Sequence, residues 1–96
     1  MKSINSVVPM MQLSTGHLTR KTRELLEYEC TIHDLSYYVL TYGFLVYIGN
    51  LDAASAEGFD KDLCDCIKAG LDAGAEWIQF DSDYEPVDDL PYYEED

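Results

Sequence analysis

A chain of 96 residues is long enough for one domain and too short for two, because a single core divides only at much greater length. Its hydrophobic content of 47% supports a packed core, and no apolar run approaches the roughly 18 residues of a membrane-spanning helix. A net charge of −13 opposes the approach of phosphates, so the composition disfavours nucleic acid and anionic membrane as direct partners.

Two elements are predicted in the first third of the chain. Residues 7–13 are apolar at nearly every position, which indicates a largely buried strand. Pro9 has no backbone N–H, so this strand should lie at an edge, begin near Met10 or bulge there. Thr19 is a suitable N-cap for a helix over residues 20–31.

The most β-prone stretch is residues 37–48, which is rich in aromatic and branched side chains. Gly43 either turns a hairpin within it or marks a bulge in one long strand, and we favour two strands. Residues 50–58 are predicted as a loop.

An apolar stripe predicts a second helix over residues 60–73, and Gly74 is placed to end it in the left-handed conformation. The last strand is residues 75–81, and we expect Trp77 and Phe80 to lie in the core with their neighbour Ile78.

The resulting order, βαββαβ, predicts an α+β domain with a ferredoxin-like sheet. We place the domain at residues 1–81 and an acidic, extended or disordered tail at residues 82–96, where prolines and acids accumulate.

The cysteines Cys30, Cys64 and Cys66 are odd in number, and no second Cys or His pair follows at zinc-finger spacing. We therefore expect reduced thiols, without a metal or cofactor. Because the N-terminal apolar stretch is too short for a signal peptide, we expect a cytoplasmic protein.

The charge is unevenly distributed. Residues 1–51 contain four acids and four bases, whereas residues 52–96 contain fifteen acids and only Lys61 and Lys68. Such a field attracts basic surfaces, and rows of carboxylates can imitate the phosphates of a DNA strand. We predict that the partner-binding residues are acidic and aromatic side chains near the C-terminus: Glu76, Asp81, Asp83, Glu85, Asp88, Asp89, Tyr92 and Tyr93.

Catalytic chemistry is considered at two places and is not favoured at either. Ser14, His17 and Asp81 are suitable types for nucleophilic catalysis, but no Gly-x-Ser-x-Gly elbow surrounds the serine, so we interpret the first two as supports of the strand-to-helix turn. Asp81 and Asp83 resemble part of a cation site, yet Pro86 stands where an EF-hand needs glycine. No catalytic or metal-binding residue is therefore assigned.

Two motifs carry a resemblance to a known family. Leu-Ser-Thr-Gly-His-Leu-Thr at residues 13–19 and Trp-Ile-Gln-Phe-Asp-Ser-Asp at residues 77–83 resemble those of a family of small uncharacterised proteins encoded by plasmids, phages and integrated elements. Gly16 stands where alanine is usual, and the resemblance covers residues 7–83.

This resemblance implies no catalytic residue. It implies a mobile-element context, in which small acidic proteins inhibit host defence in the manner of anti-restriction and anti-CRISPR proteins. We therefore expect an inhibitor that binds a basic, nucleic-acid-binding host protein in the host cytoplasm, with homo-oligomers left open.

The alternatives are an antitoxin-like or accessory binding protein and a small metal-dependent hydrolase using His17, Asp81 and Asp83. If charge does not govern binding, exposed aromatics such as Tyr37, Tyr42 and Tyr47 become the better contact residues.

Overall fold

A four-stranded mixed sheet with helices against one face forms the body of the protein. The computed structural model describes residues 7–29, 32 and 35–93. In chain order the elements are β1 (Met10–Ser14), a 3-10 turn (Thr15–His17), α1 (Arg20–Glu24), a π-helical turn (Leu25–Glu29), β2 (Ser36–Leu40), β3 (Gly43–Tyr47), α2 (Ala53–Ala56), α3 (Lys61–Asp72) and β4 (Trp77–Asp81).

The sheet order is β1-β4-β3-β2, with β1 parallel to β4 and the other two pairs antiparallel. The α+β class is confirmed, but the strand arrangement differs from the ferredoxin-like one. A split βαβ unit separates two parallel strands with a third, whereas β3 and β4 are here antiparallel neighbours.

The segment between β3 and α3 explains this difference. The start of α3 lies beside the loop that follows β1, because the Asp62 carboxylate accepts a 2.8 Å hydrogen bond from the backbone N–H of Thr19. The chain therefore crosses back along the sheet between Ile48 and Lys61, and α3 returns it to the end where β3 finished. β4 must then run antiparallel to β3.

The predicted loop at residues 50–58 is wrong in one respect, because it contains α2. Asp52 and Ser55 form a reciprocal capping box: the Asp52 carboxylate accepts from the Ser55 N–H at 2.8 Å, and the Ser55 hydroxyl accepts from the Asp52 N–H at 2.8 Å. The hydrogen bonds from Ser55 lower the pKa of Asp52.

The predicted helices are confirmed in position. The Thr19 hydroxyl caps α1 by accepting from the N–H of Thr22 at 3.3 Å, and the helix continues into the π-helical turn. Its predicted end at residues 30–31 lies outside the described residues. Gly74 follows α3 with a φ of 80°, as expected for a left-handed C-terminal residue. Within the described part of the chain, no helix is long and apolar enough to span a bilayer.

β1 is an edge strand that begins at Met10, and it is less buried than predicted. Residues 7–9 are exposed, and only its end, at Leu13 and Ser14, is buried. An edge position leaves half of the strand's hydrogen-bonding groups unpaired, which suits the preceding proline.

The core lies between the sheet and the helices. Side chains alternate between the two faces of a strand, so Ile78 and Phe80 enter the core and Trp77 does not. The prediction that all three are core residues is therefore wrong for Trp77. The buried apolar residues are Leu13, Leu18, Leu26, Phe44, Val46, Ile48, Ala56, Leu63, Cys64, Cys66, Ile67, Ala75, Ile78 and Phe80.

Candidate partner-binding surface

The residues after β4 form an irregular segment, residues 82–93, which we call the acidic strap. It contains no helix or strand, and it returns to the loop between β1 and α1. There the N–H of Tyr93 donates to the carbonyl of Gly16 at 2.7 Å. Val87 and Leu90 pack against the core. The strap is therefore tied to the body of the domain by both hydrogen bonds and apolar contacts.

His17 is the main anchor of the acidic strap. Its side chain is buried, at 1% exposure. The N–H of Val87 donates to Nε2 at 3.0 Å, and Nδ1 lies 2.8 Å from the carbonyl oxygen of Pro91. Since a backbone N–H only donates and a carbonyl only accepts, the ring must be neutral with its proton on Nδ1.

This geometry bears on the hydrolase alternative. Both ring nitrogens of His17 are engaged by backbone groups, so neither is available to act as a general base or to bind a metal in this conformation. Among the described residues, no group of three or more His, Cys, Asp and Glu side chains is arranged to hold a metal ion. The sequence indicated that His17 supports the strand-to-helix turn; the structure places its contacts on the strap instead.

The neighbouring polar residues do support that turn. The Ser14 hydroxyl accepts from the N–H of Gly16 at 3.0 Å, as predicted. A buried carboxylate that the sequence did not single out, Asp62, accepts from both the N–H and the hydroxyl of Thr19, at 2.8 and 3.1 Å. Its only sequence signal is its position four residues before Cys66, beside the apolar stripe of α3.

The predicted acidic residues fall into two groups. Asp81 ends β4, and its carboxylate accepts from the N–H of Asp83 at 2.8 Å, which turns the chain into the strap. Glu76 precedes β4 at the opposite end, about 17 Å away for a strand of this length. The structure thus gathers the later acids on the strap and leaves Glu76 apart. The exposed strap acids are Asp83, Glu85, Asp88 and Asp89.

The two predicted tyrosines differ in environment. Tyr92 is half exposed, and its ring packs edge-on against His17 with the ring centroids 6.2 Å apart. Tyr93 is partly buried, and burial raises the pKa of its hydroxyl, with a further contribution from the Asp62 and Asp65 carboxylates. Tyr92 can therefore serve both the anchor and the surface, whereas the main contact of Tyr93 is structural.

The ion pairs of the described residues all lie in the helical layer and its loops. Lys21 lies 3.8 Å from Asp60, Lys61 lies 2.9 Å from Asp65, and Lys68 pairs with Glu57. Within the described ranges, none of these pairs includes a strap acid. The strap therefore presents its carboxylates to solvent without a neutralising cation from the part of the chain that the structure describes.

The sheet face opposite the helices is the second feature of this surface. We call it the open face. On it, the ring of Trp77 lies 4.8 Å from Tyr47 and 6.5 Å from Tyr38, measured between centroids. This face was not predicted from the sequence, because Trp77 was expected to lie in the core. The larger side chains that strand alternation places on the open face are Met10, Gln12, Tyr38, Leu40, Leu45, Tyr47, Trp77, Gln79 and Asp81.

The aromatics proposed as alternative contacts are divided by the sheet. Tyr47 lies on the open face, and Tyr42 is exposed in the turn between β2 and β3. Tyr37 lies on the helical side, where its hydroxyl donates to the carbonyl of Leu26 at 3.1 Å. It is thus a structural residue rather than an exposed contact.

The fold and this surface define a small α+β domain with an anchored acidic segment and one sheet face free of helices over the described residues. The chain belongs to DUF5983, a family of unknown function, because the model of that family's C-terminal domain matches residues 10–95. The match includes the acidic strap. No curated protein and no solved structure matches the chain.

Proposed function

We propose that this protein binds a basic, nucleic-acid-binding protein and blocks its nucleic-acid site by presenting carboxylates in place of phosphates. In this proposal the protein comes from a mobile element and acts in the host cytoplasm against a defence protein, as anti-restriction and anti-CRISPR proteins do. Its partner is a protein, and nucleic acid is its competitor.

The observation that carries the proposal is the anchoring of the acidic strap by His17. Two backbone groups of the strap bond to one buried ring, so the acids between and beside them project from a fixed backbone. Ordered charges lose less conformational entropy on binding than charges on a free tail. The same acids have no cationic partner among the described residues, so their charge is available to a partner.

The charge distribution supports the same proposal. All of the −13 net charge comes from residues 52–96, and ten acids follow the last base at Lys68. A one-sided field of this size accelerates association with a basic surface and opposes nucleic acid. A family of unknown function is compatible with this role and assigns no other one.

The experiment is a parallel affinity capture from host lysate at low and high salt. It compares the wild type with a tetra-amide variant, Asp83→Asn, Glu85→Gln, Asp88→Asn and Asp89→Asn. We expect the wild type to retain a basic nucleic-acid-binding protein that high salt, the tetra-amide variant and added duplex DNA each release. A partner that holds this protein and DNA together, or one that the amides do not affect, would refute the proposal.

A further inference from the structure

The open face is an apolar and aromatic surface on the outside of the sheet. Register places Trp77 between Tyr47 on one side and Met10 on the other. Tyr38 remains 61% exposed although it stacks on Trp77 at an interplanar angle of 24°. No helix of the described part covers these side chains. Contiguous apolar patches of this kind mark interaction sites on monomeric proteins.

Among the described residues, the one charged side chain that strand alternation places on the open face is that of Asp81. The described bases lie in α1 and α3, and one of them, Arg23, lines a cavity with Leu40 and Gly43 beside the turn between β2 and β3. Asp81 lies on the open face at the end of β4, and Glu76 adjoins Trp77 at the other end. Carboxylates therefore occur next to both ends of β4, with that of Asp81 on the open face itself. The bases concerned are Arg20, Lys21, Arg23, Lys61 and Lys68.

The combination of exposed aromatic rings and negative charge favours one class of partner for the open face over the others. A single-stranded nucleic acid stacks bases on such rings but needs cations for its phosphates, and the face offers none among its described residues. A second copy would bring a like charge of −13 against the first. A basic protein segment matches both features, because a guanidinium stacks on aromatic faces and pairs with carboxylates, while an ammonium does so less well.

We infer that the open face binds an arginine-bearing basic segment of the partner protein, with the guanidinium stacked on the rings of Trp77 and Tyr38. This inference rests on the proposed function, and it adds the place and the chemistry of the contact. The strap acids draw the basic partner in, and the open face holds it through its arginine.

Trp77 is the single tryptophan of the chain, so its fluorescence reports on this face alone. The probes are a nona-arginine and a nona-lysine peptide, which carry equal charge. Titrated at low salt, nona-arginine should shift the emission and shield Trp77 from acrylamide, with about two- to fivefold tighter binding than nona-lysine. Tyr38→Ala should reduce nona-arginine to the nona-lysine affinity. Tyr28→Ala, which removes another highly exposed tyrosine from the π-helical turn, should leave the preference unchanged.

A second variant tests the inference independently, in case Tyr38→Ala impairs folding. Gln79 lies between Leu45 and Gln12 in one cross-strand row of the open face, so Gln79→Lys places a cation beside the rings. It should abolish the preference for arginine while thermal unfolding, followed by circular dichroism, stays cooperative. Equal binding of the two peptides to the wild type, or an arginine preference that survives both Tyr38→Ala and Gln79→Lys, would overturn the inference.

Two further outcomes would also overturn it: shielding of Trp77 by a single-stranded RNA, or by a dimer detected in sedimentation. The tetra-amide variant separates this inference from the proposed function. If the amides release the captured partner while Tyr38→Ala does not change its off-rate, the open-face contact is wrong and the proposed function stands. If neither peptide binds the wild type more tightly at low salt than at high salt, both the open-face inference and the proposed function are refuted.

Discussion

The buried ring of His17 accepts a hydrogen bond from the backbone N–H of Val87, 3.0 Å away and 70 residues further along the chain. The same ring lies 2.8 Å from the carbonyl of Pro91, to which Nδ1–H donates. Both partners are backbone groups, so the ring holds the path of the acidic strap together with the apolar contacts of Val87 and Leu90. One buried residue in the first turn of the fold therefore helps to position the most acidic segment.

Replacing this ring should release the strap. His17→Ala leaves the Val87 N–H and the Pro91 carbonyl without their partner and opens a cavity at a fully buried site. We expect a loss of about 2–5 kcal/mol in the free energy of unfolding. Chymotrypsin should also cleave at Tyr84 or Tyr92 at least tenfold faster than in the wild type. Thr22→Ser, a mild change at another buried polar site, is the control. Unchanged protection of the strap in His17→Ala would contradict the anchoring role.

A methyl group on Gly16 should disturb the packing of the Tyr92 ring beside His17. A Cβ built there would lie 1.9 Å from Cε1 of Tyr92, so the ring must move. Because Tyr92 is half exposed, it can rotate away, and we expect Gly16→Ala to cost about 1 kcal/mol. In a Tyr92→Ala background this cost should vanish. The double-mutant cycle, measured by urea unfolding, isolates the coupling between the two residues, and additive effects would refute the contact.

Two aromatic residues of β4 on opposite faces of the strand should respond very differently to truncation. Phe80 is fully buried against Phe44 and Leu13, its register partners, so Phe80→Ala should cost about 3–5 kcal/mol. Trp77 faces outward, and Trp77→Ala should cost less than half as much although it removes a larger ring. Thermal unfolding of the two variants tests this difference. Equal losses would mean that the open face is buried in solution.

The sequence was sufficient to predict the elements whose signals are local. Thr19 caps α1 and Gly74 ends α3 because a hydroxyl N-cap and a left-handed glycine act within a few residues. The strand order was not predictable in the same way. It depends on the path of the chain between Ile48 and Lys61, where the one-turn helix α2 gives no hydrophobic period.

The candidate surface was predictable only in composition. The acids of the strap are evident in the sequence, but the bonds from Val87 and Pro91 to His17 join residues at least 70 positions apart through backbone groups, which leave no pattern in side-chain identity. The open face was missed for a related reason. A strand with Trp77, Ile78 and Phe80 has apolar side chains on both faces, and composition alone does not say which face the helices cover.

Cys66 should make the stability of the fold depend on pH in the alkaline range. Burial, followed by the nearby Asp62 and Asp65 carboxylates, raises the pKa of the Cys66 thiol from 9.0 to about 12. The pKa is higher in the folded state than in the unfolded state, so the contribution of the protonated Cys66 thiol to the free energy of unfolding is complete below pH 9. It is lost as the pH rises towards 12.

The control for this pH dependence is Cys66→Ala, which keeps every other titrating group. Urea unfolding should show the free energy of unfolding falling more steeply between pH 9 and 12 in the wild type than in Cys66→Ala. Parallel curves for the two proteins would show that folding does not raise the pKa of the Cys66 thiol. The wild-type thiol should also resist alkylation at pH 8, because it is 1% exposed and protonated there.

Neutralising strap acids should slow association with a basic partner more than it speeds dissociation. Asp88→Asn with Asp89→Asn removes two negative charges from the strap, and Glu24→Gln with Asp72→Asn removes two from exposed helical positions. The two double variants have equal net charge, so a general field effect would slow both equally. Steering by the strap predicts a several-fold lower on-rate, a shallower dependence on salt and an unchanged off-rate for the first variant only. Stopped-flow measurement at several ionic strengths, with the captured partner, distinguishes these cases. Equal on-rates for the two variants would show that net charge, and not the anchored strap, draws the partner in.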